Sequence, residues 1–263
     1  MADVVEVWLV REGLPPGLAL AELYAVLDAR ERQRADDLLR EADRNRFVVA
    51  HAAVRFVVGG WLGAPPAELR WEYGPHGKPA LGGSWRGVQV NLSHSGGLCL
   101  VAVTRSRRVG VDIQRLEPGL DVVAMARRYF TPLESRFVQD PSDGDERAER
   151  FVRLWTRKEA VTKAAGGRLI RHGMAVPVQG VGGAVVDFPD EADAGPYRVT
   201  DVSAPDGYRA AVALSGPEHF QVESRECGWD WDRDWAGSSA RMSPKSRATP
   251  AFSDGTETGT PGS

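Results

Sequence analysis

Four short stretches of this chain gather side chains that could do chemistry. The first is Gly110-Val111-Asp112-Ile113-Gln114. Read as a strand, it sends Asp112 and Gln114 to one face and Val111 and Ile113 into a core. An acid at the end of an apolar strand needs a partner. A hard cation such as magnesium is one; a turn that the acid caps is another. The second stretch is Leu154-Trp155-Thr156-Arg157-Lys158-Glu159-Ala160-Val161-Thr162-Lys163-Ala164. Trp155, Glu159 and Lys163 recur at i, i+4 and i+8 and share one helical face, while Lys158 is turned from them by about 100°. The same spacing also describes an ordinary Glu–Lys surface pair.

The third stretch is Asn91-Leu92-Ser93-His94-Ser95-Gly96-Gly97, at the end of an alternating run. Ser, His and glycines with free backbone N–H groups can cradle an anion, or form a capped polar turn. A Ser–His hydrolase is the other chemistry these residues suggest. Against it, neighbouring residues of an extended strand point to opposite sides, and no G-x-S-x-G elbow is present. The fourth is Gly77-Lys78-Pro79, where a lysine held in a glycine-rich loop reads either as a phosphate contact or as a solvated side chain.

The elements that must position these residues follow from periodicity. Val4 to Val10 reads as a strand, and Leu20, Leu23, Tyr24 and Leu27 recur at helical spacing. The charged stretch from Arg30 to Arg46 reads as a helix with a solvated face. Phe47, Ala50, His51, Val54 and Val58 continue it until Gly59-Gly60 weakens or ends it. Strands are expected at Leu69 to Tyr73, around Val88 to Leu92, at Leu98 to Val103 and at Val109 to Ile113, with a basic turn from Arg105 to Arg108. Thr131-Pro132 starts a helix, DPSDGD from Asp140 is a loop, and Glu146 to Ala165 is a long helix stopped by Gly166-Gly167. Further strands are expected at Ala184 to Phe188, Tyr197 to Val202, Tyr208 to Leu214 and Phe220 to Glu223. Helices followed by strands, twice over, predict an α+β protein of two related halves. From about Gly228, Trp alternates with Asp and then Ser, Thr, Pro and Gly dominate, the composition of a disordered tail.

Composition narrows the function. The 263 residues are 42% hydrophobic and 26% charged, which suits a globular protein with a sizeable core. A net charge of -3 and a pI near 6.0 leave no global basic field for nucleic acid. The 2 cysteines, Cys99 and Cys227, argue against a disulfide scaffold or a thiolate metal site, and Cys99 reads as a small core residue. The opening MADVVEVWLV has no basic leader, and no window approaches a membrane helix, so a cytoplasmic protein without membrane partners is expected.

Taken in order, GKP, NLSHS, GVDIQ and WTRKEAVTKAAG resemble the Sfp-like (surfactin-synthetase-activating) 4′-phosphopantetheinyl transferases. Their signature is G-(V/I)-D followed some forty-odd residues later by (F/W)-x-x-K-E-(A/S)-x-x-K, and here Asp112 and Glu159 lie about 47 positions apart. The resemblance spans roughly Arg30 to Leu214. It implies two α/β halves packed as an intramolecular pseudo-dimer, with coenzyme A in the cleft between them. Residues 1–111 would form the N-terminal half with the coenzyme A phosphate contacts, 112–227 the C-terminal half with metal and catalytic helix, and 228–263 the tail.

The resemblance also implies roles. Asp112 and Glu159 would be magnesium ligands. Lys163 would neutralise the pyrophosphate, with Lys158 in support. Glu159, directly or through a water, would take the proton of the carrier serine. Lys78, Ser93 and His94 would hold coenzyme A phosphates, and Arg46 would sit near the nucleotide. Gln114 stands where the family often has a third acid, so it would be a neutral or indirect metal ligand. Arg127, Arg128 and Arg157 could complement the acidic helices of an apo-carrier protein. The implied reaction moves the phosphopantetheine arm of coenzyme A to a carrier serine, by a monomer using magnesium. The alternative is a coenzyme A-binding module with weakened catalysis.

Overall fold

The computed structural model describes residues 3–14, 17–74, 77–105, 107–166, 174, 176–178, 183–188 and 195–227. The expected tail from 228 lies outside the described residues, as does Gly167.

The chain runs twice through one order: a strand, two short helices, a helix of 22 residues, then a run of strands. The first pass is β1 (Asp3–Arg11), α1 (Leu20–Ala25), α2 (Ala29–Asp36) and α3 (Glu41–Leu62), then β2 (Trp71–Tyr73), β3 (Pro79–Leu81), β4 (Gln89–Ser95) and β5 (Leu98–Thr104). The second is β6 (Val109–Arg115), α4 (Val122–Tyr129), α5 (Pro132–Gln139) and α6 (Gly144–Ala165), then β7 (Ala184–Phe188), β8 (Gly195–Val202), β9 (Tyr208–Ser215) and β10 (Phe220–Glu226). The α+β class and the two related halves are as expected.

Local chemistry sets the element ends. Asp28 accepts from the Glu31 amide at 2.9 Å while Glu31 accepts from the Asp28 amide at 3.0 Å, a capping box that starts α2. The charged stretch is therefore two helices, not one, with the break at residues 37–40. Gly59-Gly60 does not end α3. Gly59 instead lets the Ala64 carbonyl approach to within 2.6 Å of where a Cβ would stand, and the stop is Gly63, at φ +67. Gly166, at φ +75, ends α6 in the same way.

One sheet runs β10-β1-β5-β4 and the other β6-β9-β8-β7, with β2 and β3 as a separate hairpin. Among the described strands β1 and β10 pair in parallel and the other ladders are antiparallel. Each long helix covers one face of its own sheet. Val54, Val57 and Val58 of α3 pack with Trp8, Val10 and Val101, and Val161 and Ala164 of α6 with Val199 and Ala211. The opposite faces meet each other. Val5, Val7, Leu98 and Leu100 pack against Val109, Val111, Ile113 and Val212 in a core shared by both halves. Each such valine or leucine contributes roughly 1.5–3 kcal/mol by leaving water.

The expected division after residue 111 falls inside β6, which belongs wholly to the second sheet, and β10 returns to the first. The basic turn around Arg107 and Arg108 links β5 of the first sheet to β6 of the second. Beside it, the edge strands β4 and β6 are joined through side chains. Asn91 Oδ1, Ser93 Oγ and Ser95 Oγ accept the amides of Val111, Ile113 and Arg115 at 2.8, 3.3 and 3.1 Å. The period of two along β4 puts all three on one face.

Candidate active site

Asp112 is the centre of the site. It lies on β6 facing α6, and Gly110, two residues earlier, lets that helix come close. A Cβ at Gly110 would meet the Ala160 carbonyl at 2.0 Å. The approach brings Lys163 over Asp112, with Nζ to Oδ1 at 2.6 Å. The Lys163 ammonium also donates to Ser93 Oγ at 2.9 Å and to the Val111 carbonyl at 3.3 Å. Ser93 in turn donates to Asp112 Oδ1 at 2.6 Å. Burial pushes the Asp112 carboxyl up from its ordinary value, against the pull of Lys163 and Ser93.

Glu159 is one turn before Lys163 on α6. Its carboxyl is pushed up to about 7, by burial first and then by the charge of Asp112, with Lys163 opposing. Two carboxylates thus stand close enough to repel. Asp112 Oδ2 is buried and has no hydrogen-bond partner among the described residues. A carboxylate oxygen removed from water, with a second carboxylate near enough to feel its charge, is a donor set that fits a divalent cation. Among the described residues no group of three His, Cys, Asp or Glu side chains gathers as metal ligands. The expected third donor, Gln114, donates through Nε2 to the Arg115 carbonyl at 3.4 Å.

A pocket of about 530 Å³ opens in the first half, between α2, α3, the β2–β3 hairpin and β4. Arg30, Arg34 and Arg46 line it, with Phe47, His51, Tyr73 and His94. The Arg30 guanidinium lies 3.8 Å from the centre of the Tyr73 ring, and Phe47 stacks on His51 at 3.9 Å. Below them Arg55, fully buried, binds Glu31 at 2.6 Å, Asp28 at 2.7 Å and the Pro66 and Leu69 carbonyls. This knot fixes α2 on α3 and so aims Arg30 and Arg34. Burial raises the Glu31 carboxyl, but His51 and Arg55 outweigh it and the net shift is downward.

His94 links pocket and acid cluster. It follows Ser93 on β4 and so takes the opposite face, with Nδ1 3.6 Å from Glu12 Oε1. Its pKa is lowered by partial burial and then by Lys163, His51 and Arg46, against Asp112. One ring feels charges from both sides.

Several expected site residues take other places. Lys158 does not face Asp112. It is fully buried, paired with Glu134 at 2.9 Å and donating to the Met174 and Val176 carbonyls, because its face of α6 turns into the second half. Arg157 is no surface arginine; it clamps Asp201 at 2.6 and 2.7 Å and the Val178 carbonyl. Lys78 donates to the Val109 and Ala164 carbonyls, both at 3.1 Å, and so ties its loop to β6 and the end of α6. Ser93 is buried in the acid cluster, and Arg46 is exposed at the pocket and pairs with Asp43. Sequence reasoning missed Arg30, Arg34 and His51 as pocket residues and Asn91 and Ser95 as the ladder beside Ser93. The signals were there: Arg30 and Arg34, like Phe47 and His51, are i,i+4 pairs, and N-x-S-x-S has the period of a strand.

Comparison with known proteins gives the family. The model of the 4′-phosphopantetheinyl transferase superfamily (ACPS) matches residues 108–213, the stretch that carries Asp112, Glu159 and Lys163. This chain belongs to that superfamily. Among curated proteins it is 34% identical over 168 residues to the 4′-phosphopantetheinyl transferase HetI of Nostoc sp., covering 63% of this chain and 70% of that one. The Synechocystis sp. protein slr0495 is 31% identical over 229 residues, 83% of this chain and 90% of its own. The 4′-phosphopantetheinyl transferase Sfp of Bacillus subtilis is 24% identical over 200 residues, 73% and 84% of the two chains. No helix among the described residues is long and apolar enough to cross a membrane.

Proposed function

We propose that the chain moves the 4′-phosphopantetheine arm of coenzyme A onto a serine of an apo-carrier protein and releases adenosine 3′,5′-bisphosphate. The observation that carries this reading is the cluster of Asp112, Lys163 and Glu159 set beside a pocket lined by Arg30, Arg34, Arg46 and aromatic rings, with His94 between them. Intact acid and lysine side chains favour a transferase over a binding module that has lost catalysis.

The pocket suits the nucleotide end of coenzyme A. Tyr73, Phe47 and His51 offer ring faces, and Arg30, Arg34, Arg46 and His94 offer donors for phosphate oxygens. Gly77 and Pro79 line the pocket, while Lys78 between them donates to the Val109 and Ala164 carbonyls and so holds that loop in place. The diphosphate then extends toward Lys163. In the reaction the serine oxygen bonds to the β-phosphorus as the bond from phosphorus to the bridging oxygen breaks. The electron pair leaves on the adenosine bisphosphate and the serine proton passes to a base. Glu159, with a pKa of about 7, is suited to hold that proton near neutral pH. Lys163 offsets charge on the transferring phosphate. Asp112, Glu159 and, as a neutral partner, Gln114 would hold a magnesium ion, which when bound offsets the charge of the diphosphate.

One chain supplies both pocket and acid cluster, which supports action as a monomer, and the free thiols of Cys99 and Cys227 suit a reducing cytoplasm. Mass spectrometry tests the reading. An apo-carrier incubated with coenzyme A, magnesium and this chain should gain one phosphopantetheine, and should gain none with Asp112→Ala or Glu159→Ala of unchanged circular dichroism. Near wild-type transfer by either variant would remove the assigned roles.

A further inference from the structure

Ser93 was expected to hold a coenzyme A phosphate, yet its surroundings assign it another task. A serine hydroxyl has one proton to give and two lone pairs to fill. Here all three are committed. Ser93 Oγ accepts from Lys163 Nζ at 2.9 Å and from the Ile113 amide at 3.3 Å, and donates to Asp112 Oδ1 at 2.6 Å. With both lone pairs taken, the proton has a single acceptor in reach. The side chain is buried, so no capacity faces the pocket.

We propose that Ser93 is a positioning residue that fixes Asp112 and Lys163 relative to each other from the opposite half of the molecule. It is the middle rung of the ladder by which β4 accepts amides from β6, so the first sheet sets its place. Its bond to Oδ1 fixes the Asp112 carboxylate and leaves Oδ2 as the oxygen without a partner among the described residues. Its bond to Lys163 turns the ammonium toward the same oxygen. The next residue, His94, lies on the other face of the strand and lines the pocket. The position of the nucleotide and the position of the acid are therefore referred to consecutive residues of one strand. Asn91 and Ser95 make the same kind of rung but bond only a β6 amide. Ser93 alone of the three reaches the acid and the lysine.

The inference rests on the transfer reading, and the test separates the two. Steady-state rates with coenzyme A varied at saturating apo-carrier, and calorimetric binding of adenosine 3′,5′-bisphosphate, are measured for wild type, Ser93→Ala, Ser93→Thr, His94→Ala and Ser95→Ala. Losing a hydrogen bond to a charged group is expected to lower kcat about 10- to 100-fold in Ser93→Ala. KM for coenzyme A and the calorimetric Kd stay within about twofold of wild type, and Ser93→Thr recovers most of kcat. His94→Ala shows the reverse split, with a raised KM. Ser95→Ala, a rung without the acid, keeps the wild-type kcat. A phosphate-binding Ser93 would raise Kd and leave kcat, and a merely structural rung would make Ser93→Ala and Ser95→Ala lose kcat alike; either result overturns the assignment. So does full kcat in Ser93→Ala beside an active wild type. A wild-type chain that modifies no apo-carrier overturns the transfer reading instead, and this inference with it. Should Ser93→Ala fail to fold, Ser93→Cys, which keeps the shape with a weaker donor, must show the same drop in kcat at unchanged Kd.

Discussion

Asp112 divides its two oxygens between different neighbours, and that division makes the site's behaviour with pH and metal testable. Oδ1 is held by Lys163 and Ser93, while Oδ2 is buried without a partner among the described residues. Glu159 lies near, with its carboxyl raised to about 7. A raised acid pKa means that Glu159 carries its proton below about pH 7 and is ionised above. A divalent cation must displace that proton at low pH. Calorimetric titration with magnesium should therefore show tighter binding at pH 8 than at pH 6, approaching tenfold per unit below 7, with proton release on the acid side. Affinity unchanged across that window would remove Glu159 from the ligand set. Gln114 bears on the same point. It sits on the Asp112 face of β6 but brings no charge, so Gln114→Glu should lower the magnesium concentration for half-maximal transfer. A raised or unchanged requirement would show that this side chain does not reach the ion.

At the scale of elements, α6 holds the site by two different grips. Its solvent-side grip is Lys163 on Asp112, permitted by Gly110. Its inner grip is Lys158, wholly buried with Glu134 of α5 and the carbonyls of Met174 and Val176. Burial lowers the Lys158 pKa while Glu134 raises it, and burial prevails. Glu134 also accepts from the Val178 amide at 2.9 Å and caps α5 with Thr131. Lys158→Met would leave that carboxylate buried beside an apolar chain, and breaking a buried pair from one side costs about 3–5 kcal/mol. Thermal denaturation should show a drop of that size, partly recovered in Lys158→Met with Glu134→Gln. Equal stability of wild type and single variant would deny the grip. The sequence placed α6 and its acid-lysine spacing well, since Trp155, Glu159 and Lys163 recur at helical spacing and glycine marks the end. It turned Lys158 away from the face of Glu159 and Lys163 but could not say what Lys158 would meet there. That depends on what packs against the helix, and Glu134 and the carbonyls that claim Lys158 come from other elements. The same limit explains Ser93. Its neighbours in the motif are visible in the sequence, but the edge of β6 that satisfies it is not.

For the whole molecule, the two-half plan was readable because helices and strands repeat in order. The sheet that each strand joins was not, because β10 has no local mark of the sheet it will enter. That last strand has a consequence for how the protein is made. Asp3 pairs with Phe220, and the register runs on to Leu9 with Glu226. The first sheet is therefore incomplete until almost the whole described chain has left the ribosome, and its β1 edge stays open meanwhile. An unpaired edge is an invitation to the wrong partner. Helices α1 to α3 can assemble early, but the sheet they cover closes last. In the cell, slow synthesis through the second half lengthens the time in which that edge needs a chaperone, while a cut between the halves separates β10 from the strand it completes.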